Sequence, residues 1–70
     1  MSILTQLGMR VRYLRKQKKM SQIALSYESD LNKNYISDLE KGRRNPTLQV
    51  LNKIAVALNI DLSTLFKGIQ

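Results

Sequence analysis

Apolar residues recur along this chain at the three- and four-residue spacing of amphipathic helices, and polar capping residues punctuate them. In the first segment, from about Ser2 to Lys18, Leu4, Leu7, Val11 and Leu14 form one stripe, with Gly8 on its edge where another helix can approach closely. The basic run Lys16-Gln17-Lys18-Lys19 falls on its last turn, where the helix dipole favours positive charge. Ser21 caps a short second helix that ends near Tyr27 or Ser29, and Met20 and Leu25 hold the two positions of a hydrophobic staple. Asn32 caps a third helix with staple residues Leu31 and Ile36, inward-facing Ile36 and Leu39, and Gly42 as its stop.

After the polar turn Arg43-Arg44-Asn45-Pro46, Thr47 caps a fourth helix whose inner face is expected to carry Leu48, Leu51, Ile54, Ala55 and Leu58. Asn59 is a left-handed stop. Asp61 then caps a fifth helix with staple residues Ile60 and Leu65 and Gly68 as terminator. Alternating apolar runs and hairpin dipeptides are absent, so no strand is expected. The expectation is an all-α fold, a compact five-helix domain spanning 1–70, with a helix-turn-helix unit over about 21–41 and C-terminal helices over 47–58 and 61–67.

Composition narrows the chemistry. The 70 residues include no cysteine and no histidine, which removes disulfides, the commonest metal ligands and the commonest general base. The five carboxylates are Glu28, Asp30, Asp38, Glu40 and Asp61. We therefore expect no enzyme, no catalytic residue, no metal and no cofactor. No apolar run approaches the ~18 residues that a membrane span needs, and the basic residues follow the first apolar ones, unlike a signal peptide. A cytoplasmic protein is the expectation.

Net charge is +7, and six of the twelve basic residues lie between Arg10 and Lys19, ahead of the first acid, Glu28. A polyanionic partner is one reading and a solvated helix face the other. Architecture favours the first. The second and third helices, joined by Glu28-Ser29-Asp30-Leu31, form a wedge whose latter helix fits a DNA major groove. Opposite Ile36 and Leu39, helical spacing places Lys33, Asn34, Ser37, Asp38 and Lys41. Asn34 and Ser37 can read base edges; Asp38 can accept from cytosine or orient a neighbouring Lys or Arg. Arg43 and Arg44 are expected at phosphates, and Tyr13 and Tyr27 are expected to pack.

The pattern Leu7-Gly8, Arg12, Leu14-Arg15, Ser21-Gln22, Leu25, Leu31, Tyr35-Ile36-Ser37, Leu39-Glu40-Lys41-Gly42, Arg44-Asn45-Pro46-Thr47 and Ala57-Leu58 resembles the lambda-repressor/Cro-like (XRE) helix-turn-helix family over nearly the whole chain. Tyr35-Ile36-Ser37 and Arg44-Asn45-Pro46 look most like the short controller proteins of restriction–modification systems, and also like short phage and plasmid repressors. The resemblance implies a lambda-repressor-like DNA-binding domain. It implies that Gln22 meets a phosphate or base edge, and that Lys33, Asn34 and Ser37 are the principal readers. Tyr35 would touch backbone or a flexible base step, and Arg44 and Asn45 the sugar–phosphate backbone or nearby bases. Arg15 and Glu40 would form a buried ion pair tying the first helix to the recognition helix. Three positions depart from the family: Asp30 for the turn glycine, Ser26 for the interhelix alanine, and Ile23 for a polar residue.

Function follows as an expectation: a transcriptional regulator binding a pseudo-palindromic operator as a homodimer, with half-sites about one helical turn, near 34 Å, apart. Leu62, Leu65, Phe66 and Ile69 exceed what a small core needs and are assigned to the dimer surface. No length remains for a sensor domain, so control through dimerisation is expected. The alternative is an antitoxin-type or other protein-interaction module, with a protein partner and secondary DNA binding.

Overall fold

The computed structural model describes all 70 residues and contains five helices: α1 Ile3–Gln17, α2 Gln22–Ser29, α3 Lys33–Glu40, α4 Leu48–Ala57 and α5 Leu62–Leu65. Each begins at a capping side chain that accepts a hydrogen bond from a first-turn backbone N–H: Ser2 from Thr5, Ser21 from Ala24, Asn32 from Asn34, Thr47 from Val50 and Asp61 from Thr64. These bonds satisfy donors that the helix itself leaves unpaired.

The helix ends share a second device. α1 to α4 all stop at a left-handed residue, Lys19 (φ 57°), Asp30 (φ 56°), Gly42 (φ 75°) and Asn59 (φ 58°). In each case the following N–H reaches back to a carbonyl five residues earlier: Met20 to Arg15, Leu31 to Ser26, Arg43 to Asp38 and Ile60 to Ala55. This is the Schellman closure. In three of the four turns the residue after the left-handed position is also the staple residue of the next helix, and an N-cap follows at once. Lys19-Met20-Ser21, Asp30-Leu31-Asn32 and Asn59-Ile60-Asp61 are thus one three-residue turn used three times. Only the α3–α4 connection is longer, and it carries Arg43, Arg44 and Asn45.

α1 packs on α3 and α5, α2 on α3 and α4, and α4 on α5. One core results, built from Leu7, Val11, Leu25, Ile36, Leu39, Leu51, Ile54, Ala55, Leu58 and Leu65. The α1–α3 approach depends on Gly8: a Cβ there would lie 2.7 Å from the Glu40 carbonyl oxygen and would also strike that of Leu39. Ser26 fits the α2 interface because its hydroxyl donates to the Ile23 carbonyl of its own helix at 2.6 Å, which leaves no orphaned polar group.

Three expectations need correction. Leu65 is 0% exposed and completes the core, so it is not a surface residue available for dimerisation. Its staple position on the fourth residue of α5 turns it inward. Leu48 is 65% exposed: it opens α4, where the apolar stripe runs past the end of the core. Tyr13 and Tyr27 do not pack inside; Tyr27 is 83% exposed, and Tyr13 lies on the outside of α1. Ile23 is also exposed, and nothing in the structure explains it.

Candidate nucleic-acid interface

α3 is held from below and open from above. Ile36 and Leu39 are buried, whereas Lys33, Asn34 and Lys41 are exposed and Ser37, Asp38 and Tyr35 are partly so. The exposed loop residues Arg43, Arg44 and Asn45 continue the same polar, basic surface beyond the end of α3. The helix is set by its buried residues, so its outward side chains are presented on a rigid support.

Two polar networks organise this surface, and the first also ties it to α1 and α2. In the first, Arg15 Nε donates to Glu40 Oε2 at 2.7 Å, Arg15 Nη2 donates to Glu40 Oε1 at 3.0 Å, and Arg15 Nη1 donates to the Met20 carbonyl at 2.8 Å. The hydrogen bond and charge of Glu40 raise the guanidinium pKa above its ordinary value, against the opposing effect of burial. Gln22 joins this network, its Nε2 donating to Glu40 Oε1 at 3.2 Å. The end of α1, the start of α2 and the end of α3 therefore meet at one carboxylate. The tie between Gln22 and Glu40 has no signature in the sequence, because it depends on how the three helices converge.

In the second network, Arg44 Nη2 lies 3.5 Å from Asp38 Oδ2, and its guanidinium carbon stands 5.1 Å from the centre of the Tyr35 ring. Of the two roles open to Asp38, the free protein shows it facing a neighbouring arginine. Arg10 was also missed. Its Nη2 donates to the Thr64 carbonyl at 2.8 Å, so it fastens α5 to α1 and is not simply part of a solvated basic run.

A model of the helix-turn-helix family matches residues 11–65. The chain belongs to the helix-turn-helix family. Its relatives include control protein C.MunI of a Mycoplasma species, 41% identical over 64 residues that make up 90% of this chain and 86% of that protein. Control protein C.BamHI of Bacillus amyloliquefaciens is 46% identical over 54 residues, 76% of this chain and 67% of that protein. The immunity repressor of Bacillus phage phi105, 36% identical over 58 residues, is a longer protein: the match covers 83% of this chain but 40% of that one.

Solved structures agree. The restriction–modification controller protein C.AhdI from Aeromonas hydrophila superposes with a TM-score of 0.88 at 40% identity, covering 90% of this chain and 96% of that one. C.Esp1396I, solved as a tetramer on its natural 35 base-pair operator, superposes with a TM-score of 0.90 at 29% identity, covering 99% and 91%. The five-helix architecture is that of the controller proteins, and the family is one of DNA-binding regulators rather than enzymes.

The residues assigned to dimerisation divide. Phe66 and Ile69 line an apolar groove of about 190 Å³ together with Ile3, Leu4, Pro46 and Leu51. Leu62 is half-buried, and Leu65 lies beneath in the core.

Proposed function

We propose that this chain is a sequence-specific transcriptional regulator of the restriction–modification controller type, acting in the cytoplasm as a homodimer on a pseudo-palindromic operator. The observation that carries this reading is α3: its inner face is locked into the core while Lys33, Asn34, Ser37 and Lys41 stand outward. Such a helix can enter a major groove without rearrangement of its support. In this assignment Lys33, Asn34 and Ser37 read bases, and Lys41, Arg43, Arg44 and Asn45 contact the sugar–phosphate backbone. Gln22 meets the backbone beside the groove, and Tyr35 touches a flexible step. No helix is long and apolar enough to cross a membrane.

Three features support a dimer on DNA. One helix reads few base pairs, the groove around Phe66 leaves apolar surface open, and C.Esp1396I binds its operator as a tetramer.

The test is fluorescence anisotropy with a labelled duplex from just upstream of the gene and a scrambled duplex of equal length, at two salt concentrations. Tighter binding to the native duplex that persists at the higher salt is the expected result. Equal binding to both duplexes, together with no sequence enriched from a randomised duplex pool, would overturn the proposal.

A further inference from the structure

Asp38 is the only carboxylate on the outward side of α3; Glu40, the other acid of that helix, is buried against Arg15. The same surface carries the exposed basic residues Lys33 at the start of α3, Lys41 at its end, and Arg43 and Arg44 in the loop that follows. A lone negative charge on a surface that meets phosphates opposes binding, so its presence requires a reason. The structure supplies a specific neighbour. The Arg44 guanidinium sits 3.5 Å from the Asp38 carboxylate and 5.1 Å from the centre of the Tyr35 ring. Tyr35 and Asp38 are one helical turn apart on α3, so the loop arginine folds back across the flank of the helix.

We propose that Asp38 is a positioning residue for DNA discrimination, competing with phosphate for the Arg44 guanidinium. The inference rests on the DNA-binding reading above. Both side chains of the pair are substantially exposed, which makes the contact weak enough to be exchanged for a phosphate. The exchange strips Asp38 of its partner beside the polyanion. On an arbitrary sequence this cancels much of what Arg44 gains from the phosphate. On a matched sequence, an exocyclic amino group of cytosine in the major groove can donate to the released carboxylate. Asp38 thereby weakens binding to wrong sequences more than binding to the right one, and discrimination comes from an unfavourable element.

The experiment is a double-mutant cycle with Asp38→Asn, Arg44→Ala and the double variant. Each is titrated across a salt series on a duplex selected by the parent protein from a randomised pool and on a scrambled duplex. Asp38→Asn should tighten scrambled-duplex binding about tenfold and selected-duplex binding less than about threefold. Its slope of log K against log salt on scrambled DNA should steepen by about one phosphate contact. The tightening should vanish in the Arg44→Ala background, while the melting temperature of Asp38→Asn stays near the parent's. Equal tightening with and without Arg44 would reduce the effect to bulk charge and overturn the proposal. So would an unchanged ratio between the duplexes in a parent that discriminates. A parent that selects no sequence at all would instead remove the DNA-binding reading, and the proposal with it.

Discussion

Arg15 and Glu40, 25 residues apart in sequence, meet in a two-point ion pair whose side chains are 10% and 3% exposed. The carboxylate holds α3 in place against α1 and receives Gln22 from α2 as well. A buried pair contributes little net stability compared with apolar residues of the same shape, but removing one partner leaves an uncompensated charge. Glu40→Gln should therefore lose about 3–5 kcal/mol, much of the total for a domain of this size at ~0.05–0.15 kcal/mol per residue. Urea denaturation of Glu40→Gln and of the pair Arg15→Met with Glu40→Leu checks this. The double variant should be the more stable of the two; a Glu40→Gln midpoint equal to the parent's would show that the pair is not structural.

Gly8 gives a test of the α1–α3 approach. In an isolated helix, replacing glycine by alanine gains about 1 kcal/mol. Here the new Cβ would meet the carbonyls of Leu39 and Glu40, which are backbone atoms and cannot swing aside. Gly8→Ala should thus destabilise, by about 1–3 kcal/mol, and should weaken DNA binding too, since α3 must shift. A denaturation midpoint at or above the parent's would mean that the helices separate without cost.

The start and stop signals were legible because each rests on local chemistry. Ser21, Asn32, Thr47 and Asp61 can cap from their own side chains, and Gly42 and Asn59 tolerate left-handed backbone. What escaped depends on distance through space. The stripe containing Leu48 identifies the inward face of α4 but not where the core beneath it ends. Ile60 and Leu65 have staple spacing, which already implies that Leu65 is buried, yet its apolar character also suits an interface, and the two readings conflict until α5 is placed. Asp38 and Arg44 lie on opposite sides of a glycine turn, so their meeting follows from the path of the loop. Lys19 escaped for a different reason: lysine is not a residue that signals left-handed backbone.

That last point makes Lys19 informative. At φ 57° it occupies the position that Gly42 fills in the equivalent closure after α3. An L-residue there costs roughly 1–2 kcal/mol, less when a short Asn or Asp side chain can bond locally. Lys19→Gly should raise stability by about 0.5–1 kcal/mol after the added freedom of the unfolded chain is counted, a rise of some 2–8 °C in Tm. Asp30→Gly should gain less. Calorimetry of both variants decides it; a lower Tm for Lys19→Gly would show that the turn is not strained.

Asp61 confers a pH dependence. The side-chain hydrogen bond from Thr64, followed by the Thr64 backbone N–H and the Ser63 hydroxyl, lowers its pKa from the ordinary 3.8. A folded-state pKa below the unfolded value means that the unfolded chain binds the proton more readily. The contribution is thus fully present above the ordinary value and is lost as pH falls through the lowered one. Asp61→Asn keeps a capping oxygen but cannot titrate. Unfolding free energies measured from pH 6 down to pH 2 should converge between parent and variant in acid. A constant difference across that range would separate the cap from the titration.

Phe66 offers a test of the proposed dimer. It is 36% exposed, so part of its ring is free to meet a partner, and it lines the apolar groove with Ile3 and Ile69. In a two-fold interface each substitution acts twice. Full burial of a large apolar side chain contributes about 1.5–3 kcal/mol, so covering the remaining third of the ring on both protomers corresponds to roughly 1–2 kcal/mol. Phe66→Ser should therefore raise the dimer dissociation constant by about tenfold. The melting temperature of dilute protein should also fall, because the rest of the ring packs on the fold. Sedimentation velocity across a concentration series, with and without a selected duplex, reads this directly. The variant should also bind a full operator no more tightly than two independent half-sites, because cooperative loading of two protomers is what the proposed interface would supply. A parent that sediments as a monomer at high micromolar concentration, alone and on DNA, would show that the groove around Phe66 only finishes the fold.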